Sequence, residues 1–360
     1  MNDRQLRRHI QAGQALFEAR DYEAAYQELS QAIRLIEEDD ISDLLTEETL
    51  AELFLLRGSS ILSEYRDEAY KDPDIFNQVL DDYEQAITIQ PENALYYILR
   101  GRIYLAAKVG DFLEEAKQDF STALEREPDN LDAAKHMGEV LSKQGQYDNA
   151  IYYLSRVINE GPTAEAYMMR GVCHFKMRPA NFSAAAYDFG EAQKLMPRLE
   201  ELYIWRAQCF QELGQWEEAL YEYDRLIELS PQNAGYYIDR GVIKHQIDPQ
   251  GAMDDYSSAL DIEDHPLARN NRAVLLAEQG DFAAAITDAT RTLELDQTHT
   301  IAYATLAEIY AQMGEREKFL EYLERAVRHY YNDVLELLET PAFQPYMDDP
   351  DFQALLRKPS

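Results

Sequence analysis

The sequence predicts an all-α solenoid of antiparallel helix pairs. Three observations carry this. Small residues recur at a spacing close to 34 residues along most of the chain. Further small residues follow each of them at two fixed offsets, as helix packing requires where two backbones approach closely. Prolines then fall between successive copies, at Pro91, Pro128, Pro162, Pro197 and Pro231, where they end a helix.

The clearest copy runs from Leu131 to Pro162, LDAAKHMGEVLSKQGQYDNAIYYLSRVINEGP. With Leu131 as place 1, Gly138 falls at place 8, Leu141 at 11, Gly145 at 15, Tyr147 at 17, Ala150 at 20, Leu154 at 24 and Pro162 at 32. Two helical periods, A and B, meet at a turn marked by Gly145. In chain order, place 8 reads Gly13, Gly58, Gly101, Gly138, Gly171, Ala207, Gly241, Ala273 and Ala307. From Gly101 its spacings are 37, 33, 36, 34, 32 and 34. Place 20 reads Ala25, Val79, Ala116, Ala150, Ala185, Ala219, Ala252, Ala285 and Phe319. Place 27 reads Ala32, Ala86, Ala123, Val157, Ala192, Leu226, Ala259, Thr292 and Ala326. Large residues at place 24, among them Tyr83, Phe120, Phe189, Tyr223 and Tyr256, fill the space beside the small ones.

This layout resembles the tetratricopeptide repeat (TPR), a helix–turn–helix of 34 residues, over residues 6–333 in about nine copies. The resemblance implies a right-handed superhelix, with residues 1–333 as the array and 334–360 as a C-terminal capping segment. Insertions interrupt the period near 37–49, an acidic connector, and near 64–77, around Asp72-Pro73. Shorter ones fall near Val109 and Pro179. They are expected to be loops on one edge of the stack, either an extra contact surface or tolerated additions. After the ninth copy the phase is lost. The tail reads as a helix, a Pro-marked turn and a short final helix, with Phe343, Phe352 and Leu355 covering the apolar end of the last repeat. Asp348, Asp349 and Asp351 suit a helix N-terminus.

The chain carries 67 Asp plus Glu against 34 Lys plus Arg, a net charge of -33. That excess argues against nucleic acid, whose phosphates need a basic stripe, and against an anionic membrane. It suits a solvated outer face and a basic or apolar protein partner. Cys173 and Cys209, both at place 10, are expected to be small core residues and not a disulfide or metal pair. The N-terminal stretch lacks the apolar core of a signal peptide, and no run of 18 apolar residues occurs. A cytoplasmic home is expected.

Place 7 is Arg in six repeats: Arg57, Arg100, Arg170, Arg206, Arg240 and Arg272. Places 4, 7, 8 and 11 share one helical face, so these arginines point toward the packed side and need partners. In the same six repeats place 23 is Asp82, Asp119, Asp188, Glu222, Asp255 and Asp288. A bridge from helix A to helix B within each repeat follows. Pairing with the preceding repeat fits less well, because Arg170 would meet Tyr153. The alternative is that the arginines grip a ligand carboxylate. Repeats without the Arg hold Ala12, Met137 and Leu306, opposite Glu28, Tyr153 and Tyr322, so only Glu28 breaks the match.

The resemblance further implies peptide binding on the concave wall of A helices, through places 2, 5, 9, 12 and 13. Candidates are Ile98, Arg102 and Leu105; Lys135, Glu139 and Lys143; Met168, Val172, Phe175 and Lys176; Ile204, Trp205 and Gln208; Ile238, Val242 and His245; and Asn270, Asn271 and Val274. The stripe is apolar in the middle, with lysines and amides beside it, and suits a peptide with apolar anchors. The Lys–Asn pair of the chaperone-tail clamp is missing, since places 5 and 9 read Ile10 and Gln14, then Leu55 and Ser59.

The sequence holds no phosphate-cradling glycine loop, no HExxH and no Cys–His metal spacing, so no cofactor or metal is expected. The acidic run Glu37–Asp40 lacks the alternation of a calcium loop. Neither a catalytic domain nor a DNA-reading helix-turn-helix is expected beside the array. The expected function is a non-catalytic scaffold or adaptor that binds a protein or peptide. The alternative is a structural array that self-assembles into homo-oligomers, and an enzyme built in the groove is a distant third.

Overall fold

Nine helical hairpins, built from eighteen helices, follow one another in a computed structural model that describes residues 2–39, 44–329 and 340–356. The chain divides into two compact units, residues 1–196 and 197–360. The first holds α1 (Asn2–Glu18), α2 (Tyr22–Asp39), α3 (Glu47–Tyr65), α4 (Pro73–Ile89), α5 (Ala94–Ala106), α6 (Leu113–Arg126), α7 (Leu131–Lys143), α8 (Tyr147–Glu160), α9 (Ala164–Lys176) and α10 (Phe182–Leu195). The second holds α11 (Glu200–Glu212), α12 (Trp216–Leu229), α13 (Ala234–Ile247), α14 (Pro249–Ile262), α15 (Pro266–Glu278), α16 (Phe282–Leu295), α17 (Thr300–Gln312), α18 (Arg316–His329) and a short α19 (Pro350–Leu355). Among the described residues there is no strand.

Among α1 to α18 the odd-numbered helices are the A helices and the even-numbered ones the B helices. Side chains start many of them by accepting backbone N–H groups that a first turn leaves without partners. Asn93 does so for α5, Asn130 for α7, Thr163 for α9 and Asn233 for α13. The A–B turn uses glycine where the backbone turns left-handed, as at Gly145, with φ 74°. Place 8 is small because the hairpin closes on it. A Cβ on Gly241 would stand 2.6 Å from Cε1 of Tyr256. Places 20 and 27 are buried throughout, from Ala25 and Ala32 in α2 to Phe319 and Ala326 in α18.

Each hairpin packs on the next within its unit, α2 on α3 and α8 on α9 in the first, α12 on α13 and α16 on α17 in the second. A helices also touch one another: α5, α7 and α9 lie side by side, as do α13, α15 and α17. Cys173 and Cys209 are free and buried, and burial pushes the Cys209 thiol up to about 12.

The insertion after α3 is a 3-10 turn, Arg66–Tyr70, entered through Arg66 at φ 47°. Asp72 then caps α4, with Pro73 in its first turn. At the C-terminus a 3-10 segment, Pro341–Tyr346, and α19 cover the end of the last hairpin. Phe343 and Phe352 are buried against Phe319 and Leu323, and Leu355 is partly buried beside them. Asp349 caps α19, accepting the N–H groups of Asp351 and Phe352. The helix expected just after His329 and part of the acidic connector, residues 40–43, lie outside the described residues.

Candidate binding surface

The six arginines at place 7 pair within their own hairpins. Arg100 donates through Nε to Oδ2 of Asp119 at 2.9 Å and through a terminal nitrogen to Oδ1 at 2.7 Å. Arg170 meets Asp188 at 2.9 and 2.6 Å, and Arg240 meets Asp255 at 2.9 and 2.6 Å. Arg57–Asp82 and Arg272–Asp288 repeat the two-pronged contact, and Arg206 reaches Glu222 at 2.9 Å. The acids are buried and the arginines partly so, which makes these charge-assisted bonds internal struts. The Asp119 and Asp188 carboxylates hold Arg100 and Arg170 above the ordinary guanidinium range, while burial lifts the Asp82 and Asp119 carboxyls.

The guanidinium also reaches the preceding hairpin. The remaining terminal nitrogen of Arg170 donates to Ser155 Oγ at 3.0 Å, that of Arg240 to Asp224 Oδ1 at 2.5 Å, and that of Arg272 to Ser257 Oγ at 3.3 Å. Each of these three planar forks thus ties helix A to its own helix B and to the helix B before it. An aromatic residue one turn back covers several of these forks, Tyr97 under Arg100 and Tyr167 under Arg170 at 5.9 and 5.8 Å. Glu28, the acid without an Arg, pairs with His9, whose Nδ1 lies 2.6 Å from Oε2.

With those arginines engaged inside, what the A helices offer outward is a separate set of side chains. In the first unit, α5, α7 and α9 bring together Arg102, Lys143 and Lys176, all exposed, with Leu105, Lys135, Glu139, Met168, Val172 and Phe175 half-buried. Lys143 stands 3.6 Å from Glu139, and His136 holds the Glu139 carboxyl below its usual range with help from Lys143. Lys135 bridges toward Glu165 on α9 at 3.9 Å. Ile98 does not reach this surface. It is 2% exposed and packs with Ala133 and Met137 of α7.

In the second unit, Ile204, Trp205 and Gln208 on α11 are half-buried, and Trp205 Nε1 donates to Glu201 at 3.3 Å. On α13 and α15, Val242 is 47% exposed, and Val274, His245 and Asn271 are half-buried. His245 Nε2 lies 3.4 Å from Glu278. Ile238 and Asn270 are each 2% exposed and belong to the packing. Ile238 sits among Ala234, Ala259 and Ala268, and Asn270 Oδ1 accepts from Thr305 of α17 at 3.1 Å. At all three the next A helix covers the side chain, α7 over Ile98, α15 over Ile238 and α17 over Asn270.

Two groups on these faces escaped the sequence argument. Place 2 belonged to the register, yet its residues Leu95, Leu267 and Ile301 were not singled out, and all three are exposed apolar side chains. Carboxylates also stand on the α13–α17 faces. Burial raises the partly buried Glu308 above the usual range, while Asp239 is exposed on α13. Asp239 makes no ion pair or hydrogen bond among the described residues. Among those residues, no group of three or more His, Cys, Asp or Glu could hold a metal ion, and no helix is long and apolar enough to cross a membrane.

Stacked hairpins with one-sided, partly apolar A-helix faces define a helical-repeat scaffold for protein–protein interaction. The family profile described as "Tetratricopeptide repeat" matches residues 113–173 and 276–339, and a second, "TPR repeat", matches 207–248. The chain belongs to the tetratricopeptide repeat family. It is similar to the mitochondrial import receptor subunit TOM70 of Homo sapiens, 25% identical over 77% of this chain and 40% of that protein. DnaJ homolog subfamily C member 3 of Bos taurus is 22% identical over 72% of this chain and 47% of that protein. The chain therefore spans less than half the length of either relative. Among solved structures, the C-terminal part of a TPR repeat-containing protein from Cytophaga hutchinsonii aligns with a TM-score of 0.52 at 18% identity, over 82% of this chain and 99% of that one.

Proposed function

We propose that this protein is a non-catalytic scaffold or adaptor that binds a peptide or protein segment along its A-helix faces. One observation carries the reading. Apolar side chains on those faces, Val242 and Ile301 in the second unit and Met168 and Phe175 in the first, are left partly uncovered, whereas places 20 and 27 are buried in every hairpin. The charges beside them state a preference. Asp239, one helical turn from Val242 on α13, favours a ligand with Lys or Arg next to an apolar anchor, since a ligand cation would pair a carboxylate that makes no ion pair or hydrogen bond among the described residues; Glu278 and Glu308 add negative charge on α15 and α17. That TOM70 is named as an import receptor subunit is in keeping with recognition and not catalysis.

A random-peptide library displayed on phage tests this. Selected peptides should combine basic and apolar residues and lose binding to a Val242→Asp variant that keeps the wild-type helical spectrum. Peptides retained equally by that variant would refute the groove reading. Self-association is the second reading, favoured by Tyr152 and Tyr187 on the outer faces of α8 and α10, each 61% exposed. Light scattering that shows one protomer mass across concentrations would dismiss it.

A further inference from the structure

A cavity of 260 Å³ lies between α2, α3 and α4, away from the A-helix candidates. Its walls follow from helical spacing. Tyr22, Glu23 and Tyr26 stand on the first turns of α2, and Ile61, Glu64 and Tyr65 on the last turns of α3, so each helix contributes one face. Tyr65 closes α3 directly before the inserted turn, where Arg66 takes φ 47° and donates its N–H to the Leu62 carbonyl. The last turn of α3, Glu64 and Tyr65, where the insertion flagged by the repeat period begins, therefore forms one rim of this cavity.

Two of the three rings are held in place. Gln78 of α4 donates to the Tyr26 hydroxyl oxygen at 2.7 Å. Phe17 meets the Tyr22 ring edge-on, with centroids 5.4 Å apart. Neither Glu23 nor Glu64 makes an ion pair or hydrogen bond among the described residues, and no Lys, Arg or His lines the cavity.

This lining selects by charge. Aromatic ring faces carry negative potential, and two carboxylates add to it. An anion is repelled. A neutral apolar ligand would cover the carboxylates without pairing them, which is unfavourable. A strongly hydrated primary ammonium loses more water on entry than a methylated one, whereas methyl groups suit the rings and Ile61. The volume is below the roughly 300–1,000 Å³ of pockets for whole drug-sized ligands, so it suits a headgroup.

We propose that the cavity formed by Tyr22, Tyr26, Tyr65, Glu23 and Glu64 binds a methylated ammonium headgroup, on a free small molecule or on a methylated lysine side chain. Calorimetric titration of the full chain tests it with four probes: choline, a short peptide carrying trimethyl-lysine, the same peptide unmethylated, and dimethylbutanol, the uncharged isostere of choline. Saturable binding is expected for choline or the trimethylated peptide, at least about tenfold tighter than for dimethylbutanol and the unmethylated peptide. Choline binding alone assigns the site to free ammonium compounds, and tighter binding of the peptide assigns it to modified protein. Tyr65→Ala, at a half-exposed position, should weaken binding about tenfold or more, Tyr65→Phe should keep it, and Glu64→Gln should weaken it and flatten its salt dependence. Absence of saturable binding by both cations, or equal affinity for dimethylbutanol, overturns the proposal.

Discussion

Removing one arginine strut should cost this protein more than any surface ion pair would. Arg170 and Asp188 are the best case. Asp188 is 1% exposed and Arg170 16%, and two parallel bonds of 2.9 and 2.6 Å join them. The Arg170 fork also holds Ser155 of the preceding hairpin at 3.0 Å and lies over Tyr167. Truncating either partner leaves the other buried without its complement, a loss of about 3–5 kcal/mol, against about 0–1 for an exposed pair. Arg170→Ala should sit at the upper end, because the Ser155 contact goes too. The double variant should lose less than the sum, with a coupling of about 2–3 kcal/mol. Urea unfolding of the four proteins, fitted with a nearest-neighbour repeat scheme because an array need not melt in one step, gives the number. A coupling indistinguishable from zero would refute the strut argument. The pair would then be an exposed contact in effect, and a ligand role for the arginines would regain weight.

Other perturbations have equally definite outcomes. Gly241→Ala places a methyl 2.6 Å from the Tyr256 ring and should destabilise by about 1–3 kcal/mol, measured by thermal or urea unfolding. Phe352→Ala opens a hole where Phe319, Phe343 and Phe352 meet, and should cost about 3–5 kcal/mol with loss of amide exchange protection in α18 first. The Asp349 carboxyl, hydrogen-bonded to Arg316, sits at about 2, below its ordinary value of 3.8. Its folded value is depressed, so its contribution is present above the unfolded value and is lost as pH falls through about 2. NMR titration should show Asp349 near that position in the wild type and returned toward the ordinary value in Arg316→Ala.

Much of the architecture was legible because a repeat writes the same constraint many times. A small residue at place 8 opposite a large one at place 24 says that two backbones touch, and Gly241 and Tyr256 do. The struts were legible for the same reason: Arg at place 7 and an acid at place 23 occur together or not at all, except at Glu28. That exception had a local answer in His9, one turn earlier on α1, which only the geometry reveals. What periodicity does not contain is the rotation of each hairpin against the next. Ile98, Ile238 and Asn270 lie on the A-helix face by register, yet the neighbouring A helix covers them. The third bond made by three of the forks, from Arg170 to Ser155, Arg240 to Asp224 and Arg272 to Ser257, depends on that same rotation. The tyrosine-lined cavity was out of reach for another reason. It needs three helices and an insertion, and the insertion is where the period says nothing.

If the A-helix faces meet the partner, a bound peptide must shield their side chains from solvent. Hydroxyl-radical footprinting of the chain, alone and saturated with a phage-selected peptide, tests it most directly. Protection of A-helix side chains such as Met168, Phe175, Val242 and Ile301 is expected, with Tyr152, Tyr187 and the similarly exposed Tyr221 of α12 unchanged. Protection confined to those tyrosines, with the A-helix residues still labelled, would contradict it.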